Sequence, residues 1–146
     1  MQFTARIPFV DLLGLELLKF ENGEAEIALT LREELCNSWH VAHGGVTMTL
    51  LDVAMAHAAR SIASVDEQGK GLSVVTIEMK TSFMRPGLGR LVAKGRVLHA
   101  TASLVFCEGT VTGEQGDLLA QASGTFKYLR GLPGAGRKIH RTNASD

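Results

Sequence analysis

The chain is short of the features that would mark a secreted or membrane protein. It has two cysteines, Cys36 and Cys107, which form no C-x-x-C pair and are too few for a disulfide framework, so both are expected to be reduced thiols. No apolar run approaches the roughly 18 residues of a membrane span. Met1 to Leu18 carries Arg6, Pro8 and Asp11 in place of a secretory core. A soluble, cytoplasmic protein is expected. Charge of either sign is also lacking in excess, because 15 basic residues balance 15 acidic ones. No overall field therefore draws the protein to nucleic acid or to an anionic membrane. A length of 146 residues suits one core and leaves no room for a separate regulatory domain.

What is present falls into four parts. Leu12 to Leu31 has strand character, interrupted at Glu21-Asn22-Gly23, where Asn-Gly supplies the positive φ of a tight hairpin. Beyond it Ala25, Ile27, Leu29 and Leu31 alternate with Glu24, Glu26, Ala28 and Thr30, giving one buried and one wet face. A polar loop, Arg32 to Ala42, precedes a proline-free segment from about Gly44 to Ser64. Its apolar residues run nearly all round, the pattern of a buried helix.

Leu72 to Tyr128 predicts three or four long strands. Val75, Ile77, Met79 and Thr81 interleave with Thr76, Glu78 and Lys80, and Pro86-Gly87 and Gly89 break the chain before Leu91, Ala93, Gly95 and Val97. Ala102, Leu104 and Phe106 lead into a turn at Thr112 to Asp117, after which Leu118, Ala120, Ala122, Gly124 and Phe126 share one face. Consecutive strands joined by short turns predict an antiparallel meander. Residues 131–146 offer almost nothing to bury and are expected to form a disordered tail. One apolar helix and an antiparallel sheet of five or six strands imply an α+β fold in which the sheet wraps the helix.

The chemistry is expected around Asp52. It stands in the helix among Val46, Met48, Leu50, Leu51, Val53, Ala54, Met55, Ala58 and Ala59, where an acid pays desolvation unless its charge is used. Upstream, His43-Gly44-Gly45 opens the helix. Glycines there let a bulky ligand approach the backbone, and unpaired N–H groups point outward at the positive end of the helix dipole. A carbonyl held there would be polarised, and a carboxylate about two turns along could attack it directly or activate a water. Taken alone, Asp52 reads more readily as a structural acid, and the glycine pair as mere close packing.

The run Asn37-Ser38-Trp39-His40-Val41-Ala42-His43-Gly44-Gly45, followed by Leu50-Leu51-Asp52, resembles the signature of hotdog-fold acyl-CoA thioesterases. The similarity is to the PaaI-like, phenylacetate-pathway branch of the 4-hydroxybenzoyl-CoA thioesterase superfamily. Ile7-Pro8-Phe9 with Leu13-Gly14 is similar to the family's opening, and Thr76-Ile77-Glu78-Met79 through Phe83-Met84-Arg85-Pro86 to its central strand. The resemblance covers roughly residues 7–129, so residues 1–130 are expected to form one hotdog domain. It implies a long central helix wrapped by a five- to six-stranded antiparallel sheet, an acyl-CoA substrate and no cofactor. It implies Asp52 as nucleophile or general base and Gly44 as oxyanion-hole donor. His43 would hold the loop and approach the thioester, Asn37 would orient the carbonyl or nucleophile, and Thr76 would position water. A serine is common at the Thr76 position. In this family Asp52 and Thr76 face a His43-Gly44 loop from a partner subunit, so the resemblance implies a homodimer, and further association into a homotetramer.

An acyl pocket is expected from Gly45, Trp39, Met48, Phe9 and Phe83, mostly apolar. By resemblance Arg85 and Arg90, with Lys127 or Arg130, would meet the phosphates of coenzyme A at the groove mouth, or be solvated strand ends. His57, off the Asp52 face, reads as a packed or interface histidine, and Arg60 as a partner of Asp66 or Glu67. Cys36, His40 and His43 form a C-x3-H-x2-H run without an evident fourth ligand, so no metal is expected. A Cys36 nucleophile with His40 is the weaker alternative to Asp52. Two other activities fit the same groove: acyl-CoA binding without turnover, and hydration or dehydration of a hydroxyacyl thioester. The first usually comes with a DNA-binding appendage, for which 146 residues leave no room.

Overall fold

Asn22 and Gly23 both take positive φ, 50° and 81°, and turn β1 (Glu16–Glu21) back into β2 (Glu24–Thr30) as the Asn-Gly pair predicts. The hairpin tip is tied down twice: the Gly23 N–H donates to Ser61 Oγ at 2.8 Å, and its carbonyl accepts from Val97 N at 2.8 Å. The computed structural model describes residues 1–65 and 71–129. The expected tail at 131–146, Arg130, and the Asp66 and Glu67 partners suggested for Arg60 all lie outside the described residues.

Ahead of β1 stands a short helix, α1 (Pro8–Leu13), where strand character had been expected from Leu12. Proline at its start has the φ a helix needs and no N–H to lose, and Gly14 ends it with φ 71°. Those two signals outweigh the strand-like composition of Leu12 and Leu13. The long helix α2 (Gly44–Ser61) ends three residues earlier than expected. Four more strands follow: β3 (Ser73–Phe83), β4 (Arg90–Ala100), β5 (Leu104–Thr112) and β6 (Leu118–Leu129).

The six strands form one antiparallel sheet in the order β1-β2-β4-β5-β6-β3. This is the hotdog arrangement, with α2 held in the curve of the sheet. The meander expected across residues 72–128 holds for β4, β5 and β6 only. β3 lies at the far edge against β6, so Pro86-Gly87 and Gly89 do not make a hairpin. Residues 84–89 instead carry the chain past the ends of two strands, about 14 Å at sheet spacing, within the reach of a six-residue extended segment. Along the way Met84 N and Arg85 N donate to Leu119 O, Ala42 N donates to Gly87 O, and Leu31 N donates to Gly89 O.

The alternation read for β3 also changes. A bulge lies between Thr76 and Glu78, so Val75 and Ile77 do not share a face with Met79 and Thr81. Thr76 turns towards α2, and beyond the bulge the inward set becomes Met79, Thr81 and Phe83, opposite Gly124, Ala122 and Ala120. In β5 the buried residues are Val105, Cys107, Gly109 and Val111, the opposite phase from Leu104 and Phe106. β2, β4 and β6 bury the faces their patterns predict, except that Ala28 of β2, expected on the wet face, is also fully buried.

Leu50, Leu51, Ala54, Met55, Ala58 and Ala59 of α2 are fully buried against the sheet. Each large side chain among them contributes about 1.5–3 kcal/mol of burial. The closest approach is at Gly95, where a Cβ would lie 2.4 Å from the Ala54 carbonyl oxygen. No side chain fits there without moving the helix. The burial is not uniform round α2, however. Gly45, Met48, Thr49, Asp52, Ala56 and Arg60 recur every three to four residues and form one less-covered stripe. Asp52 lies on it.

Candidate active site

The loop before α2 is closed by its own backbone and one side chain. Asn37 Oδ1 accepts from Trp39 N at 2.9 Å and Val41 N at 3.4 Å, while Asn37 N donates to Val41 O at 2.9 Å. Asn37 therefore shapes the loop with its oxygen, in the manner of a turn asparagine. Trp39, 83% exposed, stands away from the body of the protein. His43 N donates to Leu35 O at 2.9 Å, which fixes the last residue before the helix.

His43 is the N-cap of α2. Its ring Nδ1 accepts the Gly45 N–H at 2.9 Å, and its carbonyl accepts from Val46 N and Thr47 N. The Gly45 amide is thus spent, where both glycine amides had been expected to be open. Gly44 N–H has no acceptor among the described residues, and it lies at the positive end of the helix. Because Nδ1 accepts, the ring proton is assigned to Nε2, which leaves His43 a second donor. The Phe83 ring backs Gly44, 3.6 Å from where a Cβ would stand.

Asp52 is half-buried, and its Oδ1 accepts a 2.6 Å hydrogen bond from Thr76 Oγ1. The second carboxylate oxygen has no partner among the described residues. Asp52 lines a cleft of about 400 Å³. The walls are apolar: α1 contributes Phe9 and Val10, α2 contributes Met48 and Val53, and β3 contributes Met79, with Ile7 just ahead of α1. Thr49 also lines it, but its hydroxyl donates to Gly45 O at 2.8 Å. Of the residues expected in an acyl pocket, Phe9 and Met48 line this cleft, and Gly45, Trp39 and Phe83 do not. Ile7, Val10 and Met79 were not foreseen, although Pro8 followed by Gly14 signals the helix that carries Val10.

An acid half-sunk in an apolar cleft and a helix start with an open amide suit the attack on, and polarisation of, an ester carbonyl. Residues 40–120 match the Thioesterase superfamily. The chain belongs to this family. Several relatives carry thioesterase names. The chain is 31% identical over 140 residues to the medium/long-chain acyl-CoA thioesterase YigI of Salmonella typhimurium, covering 88% of this chain and 89% of that protein. It is 29% identical over 120 residues to the acyl-coenzyme A thioesterase PaaI of Escherichia coli, covering 82% and 76%. Among solved structures, the BH2602 protein of Bacillus halodurans, crystallised with CoA, superposes with a TM-score of 0.77 at 30% identity, covering 87% of this chain and 82% of that one.

Other candidates in this thioesterase-superfamily chain are placed elsewhere. Arg90 grips Glu16 with both terminal nitrogens at 2.9 Å and adds Thr30 Oγ1 at 3.3 Å. The Arg90 hydrogen bond holds the Glu16 carboxyl below its ordinary range. Arg90 is therefore engaged as a cross-strand tie. Arg85 donates one nitrogen to Leu118 O at 2.7 Å and is otherwise exposed, as is Lys127. Cys36 Sγ points at Arg32 O, 3.5 Å away, while the His43 ring is turned to Gly45. Among the described residues these side chains and His40 do not converge.

His57 is packed, as expected. It is 3% exposed, Nδ1 donates to Val53 O at 2.8 Å, and Phe3 and Phe20 meet the ring edge-on at 5.2 and 6.0 Å. Burial, reinforced by the nearby Arg60 charge and opposed by the Val53 carbonyl, pushes its pKa down to about 4. It is a neutral structural imidazole at pH 7. Arg60 reaches His57 Nε2 at 3.4 Å and Thr4 Oγ1 at 2.9 Å.

Proposed function

We propose that the protein is an acyl-CoA thioesterase acting as a homodimer, with Asp52 of one copy and the Gly44 amide of the other forming each site. The observation that carries the proposal is the Asp52 carboxylate: one oxygen is held by Thr76, the other has no partner among the described residues, and the residue lines an apolar cleft. The names of the YigI and PaaI relatives and the CoA in the BH2602 structure support the substrate class.

Geometry supports the dimer. Gly44 and Asp52 are eight residues apart on one straight helix, about 12 Å of axial rise. A nucleophile and an oxyanion donor must each lie near 3 Å from a single carbonyl. One copy cannot satisfy both demands with its own Gly44. β3 is an eleven-residue edge strand with Ile77 and Phe83 about half exposed, and a bare edge of this length is usually covered. A second copy would cover it and bring its helix start to the acid.

In the reaction, charge grows on the thioester oxygen as the carbonyl carbon is attacked, and the Gly44 N–H, with the helix behind it, stabilises that charge. His43 Nε2–H is a further donor on the same loop. Asp52 acts through its free oxygen in one of two ways. It attacks the carbon itself, the C–S bond breaks, CoA leaves as thiolate, and water hydrolyses the acyl anhydride. Otherwise it takes a proton from water as that water attacks, and the same C–S bond breaks. Single turnover in ¹⁸O-water separates the routes when water opens the anhydride at the aspartyl carbonyl: unlabelled acid product means attack by Asp52. The unpaired thiols Cys36 and Cys107 fit a cytoplasmic enzyme.

The dimer is tested by complementation. Gly44 is the first residue of α2, where proline is tolerated, and His43 has φ −59° and ψ 138°, which suits a residue before proline. Gly44→Pro therefore deletes the N–H and keeps the helix. Asp52→Asn and Gly44→Pro proteins, each nearly inactive, are unfolded, mixed and refolded, and thiol release from acyl-CoA is followed. A heterodimer has one intact site, so about a quarter of the original activity returns. No recovery in a mixture that demonstrably contains heterodimers would place both groups in one copy. Native mass of the same samples decides whether dimers pair into the homotetramer.

A further inference from the structure

The cleft beside Asp52 has a polar end and a larger share of apolar lining. At the polar end Asp52 and Thr76 are bonded to each other, and the Thr49 hydroxyl is spent on Gly45 O. Everything beyond them is hydrocarbon or thioether: Ile7, Phe9, Val10, Met48, Val53 and Met79. Resting on the reading of Asp52 as the group that acts on the thioester carbonyl, the acyl chain attached to that carbonyl has one apolar direction in which to run. α1, with Ile7 just ahead of it, supplies three of those apolar side chains.

α1 is held as a fixed wall. Arg32 Nη1 and Nη2 donate to Leu13 O and Leu12 O at 2.9 and 2.8 Å, and Gly14 closes the same end. Val10, 2% exposed, anchors the helix in the core. The strand of chain leading into it is pinned by Thr4 on Arg60 at 2.9 Å and by Phe3 on the His57 ring. Phe9 is different. It sits on the wall, lines the cleft, and is still 54% exposed. A large aromatic ring left half bare over an apolar cleft has surface to give to a chain that reaches it.

We infer that α1 is the length gauge of the acyl site and that Phe9 sets where the chain stops. Methylenes that fit between Met48, Met79 and the Phe9 ring gain about fourfold each in kcat/KM; methylenes that would run into the ring gain nothing. Straight saturated acyl groups are preferred over acyl groups bearing hydroxyls midway, because the described walls of the cleft offer such a hydroxyl no free partner.

The test is kcat/KM for butyryl- to palmitoyl-CoA with the full chain, its Phe9→Ala, Phe9→Trp and Ile7→Ala variants, and a thermal melt of each. With Phe9 half-exposed, its substitutions leave the core intact. Phe9→Ala and Ile7→Ala are expected to move the best substrate at least two carbons longer. Phe9→Trp moves it shorter, and the long-to-short ratio of kcat/KM changes at least tenfold between the two Phe9 variants. Folded variants that keep the original chain-length profile overturn the gauge and leave the thioesterase reading standing. Absence of thiol release from every acyl-CoA by the unmodified protein overturns that reading itself.

Discussion

The two halves of α2 carry similar polar groups and treat them differently. In the C-terminal half they are finished. His57 is bonded to Val53 O and met by Arg60, Ser61 Oγ donates to Ala58 O at 2.7 Å and accepts Gly23 N, and Tyr128 OH donates to Ala59 O at 2.8 Å. In the N-terminal half two groups are left open: the Gly44 N–H, and one oxygen of Asp52. Buried polar groups that serve only the fold are normally paired. Among the described residues, the open amide and open carboxylate oxygen of one half, set against the paired His57, Ser61 and Tyr128 contacts of the other, therefore separate groups available to a ligand from groups kept for stability.

That contrast predicts opposite responses to substitution. The largest effect is expected for Asp52→Asn, which keeps the Thr76 bond and removes the charge. The kcat falls at least 100-fold, on the order of 3 kcal/mol, while unfolding by denaturant shifts by less than about 0.5 kcal/mol. A stability loss of comparable size would place Asp52 with the structural group.

His57 is expected to behave in the reverse manner. Its folded pKa, about 4, is below the ordinary imidazole value of roughly 6.5. The unfolded chain thus binds the proton first, and stability from the neutral ring is whole above pH 6.5 and lost as pH falls towards 4. The loss amounts to about 3 kcal/mol at most. In His57→Leu the stability profile flattens over that window relative to the parent, and kcat stays within a few-fold. Equal slopes in the two proteins would show that the ring titrates normally.

The smallest effect is expected for Arg90→Gln. The arginine is engaged with Glu16 on the exposed side of the sheet, where solvent screening leaves an ion pair little weight. KM for acyl-CoA should move less than threefold. A tenfold rise would return Arg90 to the groove mouth as a phosphate contact.

What was legible in the sequence was mostly local. Asn22-Gly23 specifies its turn through its own φ preferences, and the apolar density after Gly44 specifies a buried helix. The His43-Gly44 and Asp52 spacing lies within one helix and could be weighed as a unit. What was not legible depended on distant strands. β3 could be placed at the far edge only by knowing that residues 84–89 hold to Leu119, Ala42 and Leu31. The bulge after Thr76 inverted an alternation that looked regular, and Arg90 finds Glu16 across 74 residues of sequence. The partnership of Thr76 with Asp52 came from family resemblance, and nothing in the spacing of the two residues implied it. The helix α1 was announced by Pro8 and Gly14, and Leu12-Leu13 obscured the signal.

Gly95 carries no chemistry, yet the position of Asp52 depends on it. The helix rests directly on the backbone of β4 at that residue, so the sheet acts as a seat whose height is set by a missing methyl group. Raising the seat by the width of one carbon would lift the whole rod, and a 2.6 Å contact on its far flank has no slack to follow. The reach of the carboxylate is thus written in a residue that a search for reactive side chains would pass over.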